Sequence, residues 1–172
     1  MKNEILKIDK ELPTVKKTEL PSGHPLNDLT CRMLIAEAIK AREKAYAPYS
    51  GFKVGAALMS AGKKIITGCN IENSAFSPTI CAERVAFSKA ISDGVLESDK
   101  SFVGIAVVGG KDANVSKEKG FADYTTPCGV CLQFISEFVD AENFFVISAK
   151  SESDYWIYTL KDLMPFAFKY KK

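Results

Sequence analysis

The sequence predicts an α/β protein: a three-layer α/β/α sandwich around a mixed sheet of roughly five strands. Two observations carry that prediction. Segments of helical period alternate with short, nearly all-apolar runs in the order α-β-β-α-β-α-β-β-α, and such runs are typical of strands covered on both faces. A length of 172 residues with 47% hydrophobic content is enough for one domain with a sizeable core.

Residues 1–25 mix Lys, Glu and Thr with Pro13, Pro21 and Pro25 and keep no period, so they are expected to form a partly ordered N-terminal arm. The domain itself is expected over residues 26–172. A first helix should start near Leu26 on a cap at Asn27 or Asp28, with Leu29, Met33, Ala36 and Ile39 at helical spacing, and end before Pro48. Residues 54–59 and 64–69 read as two strands joined by a turn at Ser60-Ala61-Gly62-Lys63. A polar loop over 70–79 leads into a helix from about Cys81 to Asp93, closed by Gly94. Residues 102–108 form a buried strand, followed by a mobile polar connection to Thr126. Pro127 suits the first turn of a helix reaching about Val139. Strands at 144–149 and 155–158 follow, and Thr159 with Asp162 marks a capping box for a short last helix stopped by Pro165.

Composition excludes several classes. A formal net charge of +2 gives no electrostatic grip on nucleic acid. The charged first twenty residues contain no signal-peptide core, and no apolar run reaches membrane-spanning length. A cytoplasmic protein is expected, in which five cysteines serve as thiols or metal ligands rather than disulfides.

The chemistry concentrates in two short pieces, Cys81-Ala82-Glu83 and Pro127-Cys128-Gly129-Val130-Cys131. Three thiolates make an incomplete tetrahedral Zn2+ site, and the missing ligand leaves a position for water. Glu83 is the type of group that takes and returns such a water's proton. Both pieces open predicted helices, whose positive dipole ends favour thiolates. The metal and three thiolates together carry an excess negative charge, and Arg84 is the candidate cation to offset it; position alone equally allows a surface arginine. A closed structural site would instead need a fourth ligand. His24, Cys31 and Cys69 are available, with Cys69 the serious contender, but that reading leaves Glu83 without a role.

The combination of CAE with PCxxC is the zinc-deaminase signature. With cysteine as the first ligand, it resembles the small homotetrameric cytidine deaminases. Ala45-Tyr46-Ala47-Pro48-Tyr49-Ser50, Phe52-Lys53-Val54-Gly55-Ala56-Ala57-Leu58, Gly68-Cys69-Asn70-Ile71-Glu72-Asn73 and Leu163-Met164-Pro165 with Phe168 resemble that family in the same order, covering most of residues 28–168. The resemblance implies Cys81, Cys128 and Cys131 as zinc ligands and Glu83 as proton shuttle. It also implies Asn70 and Glu72, with Ile71 between them, at the ribose of cytidine or deoxycytidine. The Ala82 amide would meet the base's carbonyl oxygen. Phe52 would contact the pyrimidine, as would Phe168 reaching from a neighbouring subunit of a homotetramer.

Two positions depart from the pattern: Phe76 stands where many relatives carry tyrosine, and Leu132 where many carry arginine. The activity implied is hydrolytic deamination to uridine and deoxyuridine with release of ammonia, a step of pyrimidine salvage. The alternatives are a deaminase of a modified nucleoside and a non-catalytic, zinc-stabilised interaction protein.

Overall fold

The structure, a computed structural model, describes residues 19–115 and 120–170. One five-stranded sheet, in the order β2-β1-β3-β4-β5, forms the middle layer. Its strands are β1 (Phe52–Ser60), β2 (Ile65–Cys69), β3 (Phe102–Lys111), β4 (Phe145–Ser151) and β5 (Asp154–Thr159). Only the β3–β4 pair is parallel, so the sheet is mixed, as predicted. Helices α1 (Asp28–Arg42), α2 (Ala82–Ser92), α3 (Val95–Asp99), α4 (Gly129–Ser136) and α5 (Leu160–Leu163), with a 3-10 turn at Asp112–Asn114, complete the described elements.

Strand alternation divides the core in two. Ala57, Met59, Ala106, Val108 and Ile147 face Leu34, Ile35 and Ala38 of α1. Ala56, Leu58, Ile105, Val107 and Val146 face Ala86 and Phe87 of α2, Ile135 of α4 and Leu160 of α5. Two glycines set how closely the helices approach. A Cβ on Gly55 would overlap the Ala38 carbonyl oxygen and the Arg42 nitrogen, so α1 rests directly on β1. A Cβ on Gly68 would meet the Ala82 carbonyl oxygen and the Ala86 nitrogen, so the first turns of α2 rest directly on β2.

Several predicted boundaries move, each for a local reason. Strand β3 runs on to Lys111 because β1 pairs with it as far as Phe52. Gly94, with φ of 70°, closes the α2 segment as predicted but also starts the short α3, which the sequence reading lacked. Pro127 lies one residue before the N-cap Cys128 rather than inside the first turn of α4. That helix ends at Ser136, and i→i+3 bonds from Glu137 and Phe138 tighten the chain beyond it. Residues 1–18 of the expected arm and 116–119 of the polar connection lie outside the described residues. Of residues 19–25, two pack on the body: Leu20 touches the α1-side core and the His24 ring meets Phe145 edge-on at 4.7 Å.

Candidate active site

Two helix starts converge on one point. Cys81 is the N-cap of α2, and Cys128 and Cys131 are the N-cap and third residue of α4. Helix α2 reaches this position through Gly68 beneath it and through a bridge between Ile71 and Ile80, which exchange both backbone hydrogen bonds at 2.9 and 3.0 Å. The polar loop between them is thereby folded back, so Cys81 arrives beside the segment Asn70-Ile71-Glu72.

The three sulfurs lie within 4.8 Å of one another, with Cys81 and Cys128 4.0 Å apart. A tetrahedral zinc with Zn–S bonds of about 2.3 Å requires sulfurs about 3.8 Å apart, so the group fits the ion. Among the described residues no fourth His, Cys, Asp or Glu joins it. Cys31 is a buried residue of α1 and His24 meets Phe145 edge-on, both on the other side of the sheet. Cys69 ends β2 outside the cluster. The closed structural site weighed from the sequence therefore lacks its fourth ligand among these residues.

The electrostatics suit a metal pole. The bond with the Cys131 thiol lowers Cys81 to about 5, aided by Arg84 and opposed by burial. Cys131 is pushed up by that same bond and by burial. Arg84 places Nη2 3.8 Å from the Cys81 sulfur and donates to the Thr79 carbonyl at 3.0 Å. Arg84 thus lies beside the sulfurs. Leu132 points elsewhere, into the apolar core beneath the sheet.

Glu83 follows in the first turn of α2 and is 4% exposed. Burial pushes its carboxyl up to about 7, against the pull of its own backbone amide. Ala82 is fully buried at the first position of α2, where amides lack intrahelical acceptors.

The remaining predicted residues are placed less uniformly. Asn70 is buried and already braces β1: its amide donates to the Phe52 carbonyl at 2.9 Å and accepts from the Val54 amide at 2.8 Å. Glu72 accepts from the Tyr49 amide at 2.9 Å and from the Ser50 hydroxyl, and these bonds, the hydroxyl's first, hold its carboxyl below the usual range. A cavity of about 400 Å³ opens beside it, lined by Tyr49, Ser50, Glu72, Phe76 and Thr79. Of these five, only Glu72 was named as a site residue from the sequence; the family-like segment ending in Tyr49-Ser50 and the Phe76 departure were the signals for three of the others. Phe52 starts β1 half-exposed, Ile71 is exposed, and Phe168 is exposed on the C-terminal segment, away from that cavity. Gln133 was also missed; it sits two residues after Cys131 and bonds that segment.

A carboxylate walled in beside three sulfurs at the edge of a covered sheet belongs to the chemistry of zinc enzymes that activate water. Comparison narrows the class. The family described as "Cytidine and deoxycytidylate deaminase zinc-binding region" matches residues 30–147, and the chain belongs to it. A cytidine deaminase of Sporosarcina psychrophila is 47% identical over 135 residues, covering 78% of this chain and 88% of that one. The crystal structure of cytidine deaminase from Burkholderia pseudomallei superposes with a TM-score of 0.67 at 38% identity, covering 79% of this chain and 97% of its own. That of cytidine deaminase from Mycobacterium tuberculosis gives 0.62 at 30% identity, covering 80% and 96%. Among the described residues no helix is long and apolar enough to cross a membrane.

Proposed function

We propose that this enzyme hydrolytically deaminates free cytidine and deoxycytidine to uridine and deoxyuridine, releasing ammonia. The observation that carries the reading is the buried Glu83 carboxylate beside the three-thiol group at the joined starts of α2 and α4. Cys81, Cys128 and Cys131 would hold a zinc ion, which when bound would supply a Lewis acid able to lower the pKa of water from about 15.7 to about 7. Glu83 takes the proton that water gives up and passes it to N3 of the ring as the oxygen joins C4. It then takes the remaining proton from the C4 hydroxyl and gives it to the departing amine, so that ammonia leaves and the C4 carbonyl forms. Arg84, beside Cys81, offsets the excess negative charge of three thiolates.

The Ala82 amide donates to the base's carbonyl oxygen, and Phe52 contacts the pyrimidine. Asn70 and Glu72, with Ile71 between them, serve the ribose. Glu72 lines a cavity whose lining residues include a carboxylate and no cation, which favours a free nucleoside over a nucleotide. Phe168 contacts the pyrimidine bound in a second copy of the chain, within a homotetramer. Salvage of pyrimidines in the cytoplasm, where thiols stay reduced, is the setting that suits such a site.

Ammonia release from cytidine and from its monophosphate, with absorbance read in parallel, tests the proposal. Turnover of the nucleoside, with Glu83→Ala inert yet zinc-loaded, supports it. A fully zinc-loaded protein that releases nothing from cytidine or deoxycytidine would sink it.

A further inference from the structure

The C-terminal segment beyond α5 exposes three large rings, Phe166, Phe168 and Tyr170. Its backbone is tied to α4 at one of those residues. Gln133 donates from Nε2 to the Phe168 carbonyl at 2.8 Å, and its Oε1 accepts from the Phe168 amide at 3.1 Å. One side-chain amide thus pairs with both backbone groups of one residue, as a neighbouring strand would. Ser136 steadies the amide: its hydroxyl lies 3.3 Å from Nε2 and itself donates to the Gln133 carbonyl at 2.7 Å.

An amide side chain offers a donor and an acceptor side by side on one carbon, in one plane. Glutamate would present acceptors alone and set a negative charge against the Phe168 carbonyl. Asparagine is one methylene shorter. Gln133 also stands two residues beyond Cys131 on the same short helix, so the element that carries two sulfurs carries the anchor of Phe168. Phe168 remains 72% exposed, so little packing on its own protomer holds it and the backbone anchor carries its placement.

We infer that Gln133 is a positioning residue for the deamination: it fixes Phe168 relative to α4, so that the ring is presented in register to the site of a second copy. The inference rests on the reading above that Phe168 contacts substrate. Its effect should appear in substrate recognition, because Gln133 touches the Phe168 backbone and neither the sulfurs nor Glu83 is among its hydrogen-bond partners.

The test is a double-mutant cycle in the full-length, zinc-loaded enzyme: Gln133→Glu, Phe168→Ala and the pair, each assayed for kcat and KM on cytidine. Zinc content and oligomeric state are measured alongside. Losing a two-bond anchor predicts a fall of about tenfold in kcat/KM for Gln133→Glu, mostly through KM, with zinc content unchanged. The double variant should be no worse than Phe168→Ala alone, since Gln133 acts through that ring. Multiplicative losses, an unaltered kcat/KM in Gln133→Glu, or lost zinc would each overturn the inference. If Phe168→Ala itself leaves kcat/KM unchanged, the reading of Phe168 as a substrate contact fails first, and Gln133 then has no role in recognition.

Discussion

Helices α1 and α5 begin one way, and α2 and α4 another. Asn27 at the start of α1 accepts from the Thr30 amide at 2.9 Å, and the Thr30 hydroxyl accepts from the Asn27 amide at 2.6 Å. Thr159 and Asp162 repeat that reciprocal pattern at α5. Cys81 and Cys128 take up the same extended N-cap backbone, yet neither makes a side-chain capping bond. A cap of the usual kind contributes about 1 kcal/mol, and α2 and α4 forgo it. Their sulfurs turn toward one another instead, where the positive helix ends stabilise thiolate charge. Two helix starts give up local stability for a metal pole, and two keep it because no chemistry passes through them.

The largest effect expected at the working starts is loss of the proton carrier. Glu83→Gln should lower kcat by about 10²- to 10⁴-fold, the range for removal of a general acid–base. Zinc content should stay at the level of the native protein, and thermal stability should hold because a neutral amide suits a buried position. Steady-state kinetics with metal analysis checks all three; retention of near-native kcat would remove Glu83 from the mechanism. Chelation offers a second route to the same pole. Stripping the metal should abolish turnover, and added Zn2+ should restore it in native protein but not in Cys81→Ala, which lacks one of the three sulfurs.

The next effect separates the two faces of the sheet. Gly55 lies under α1 and Gly68 under the first turns of α2, and both approaches are too close for a Cβ. Gly55→Ala and Gly68→Ala should each destabilise the fold by about 1–3 kcal/mol, the usual cost of overpacking. Their consequences for the metal should differ. Lifting α2 off β2 carries Cys81 and Glu83 away from Cys128 and Cys131, so Gly68→Ala should weaken zinc binding. Gly55→Ala shifts a helix that bears no ligand and should keep its zinc. Metal titration against a chromogenic chelator measures this; equal losses in the two variants would mean that the pole responds to global stability and not to its own supporting contact.

These contrasts were partly legible in the sequence. A cap at Asn27 or Asp28, the Thr159–Asp162 box and the three cysteines could be read directly, because capping and ligation depend on residue type at short, fixed spacing. The strand runs could be read as well, since burial on both faces leaves little choice of residue. What could not be read was produced by distant contacts. Asn70 is engaged by β1, sixteen and eighteen positions earlier in the chain, and Glu72 by Ser50, twenty-two positions earlier. Phe76 takes a left-handed backbone, φ 57°, at the rim of a cavity that exists only once residues 49–50 and 72–79 are folded together. Gln133 meets Phe168 only because the C-terminal segment returns to α4 from thirty-five positions later in the chain. Arg84 was named from its place next to Glu83, but its choice between solvent and sulfur was made by the Thr79 carbonyl.

The smallest effect tests the opening contrast most directly, by exchanging the two kinds of helix start. Asn27→Ala removes a cap from a start without chemistry and should cost about 1 kcal/mol, read as a lower Tm, with kcat and zinc content unchanged. Cys128→Asn does the reverse. Its backbone, at φ −71° and ψ 164°, already has N-cap geometry, so an asparagine there can accept from the first-turn amides of α4. Compared with metal-free native protein, the metal-free variant should gain about 0.5–2 kcal/mol on chemical denaturation, while its zinc affinity collapses. In the zinc-loaded comparison the order must invert, because metal bound to the native fold adds stability that the variant cannot receive. A metal-free variant no more stable than the native chain would show that Cys128 never stood in place of a cap, and that α4 is held at its start by packing alone.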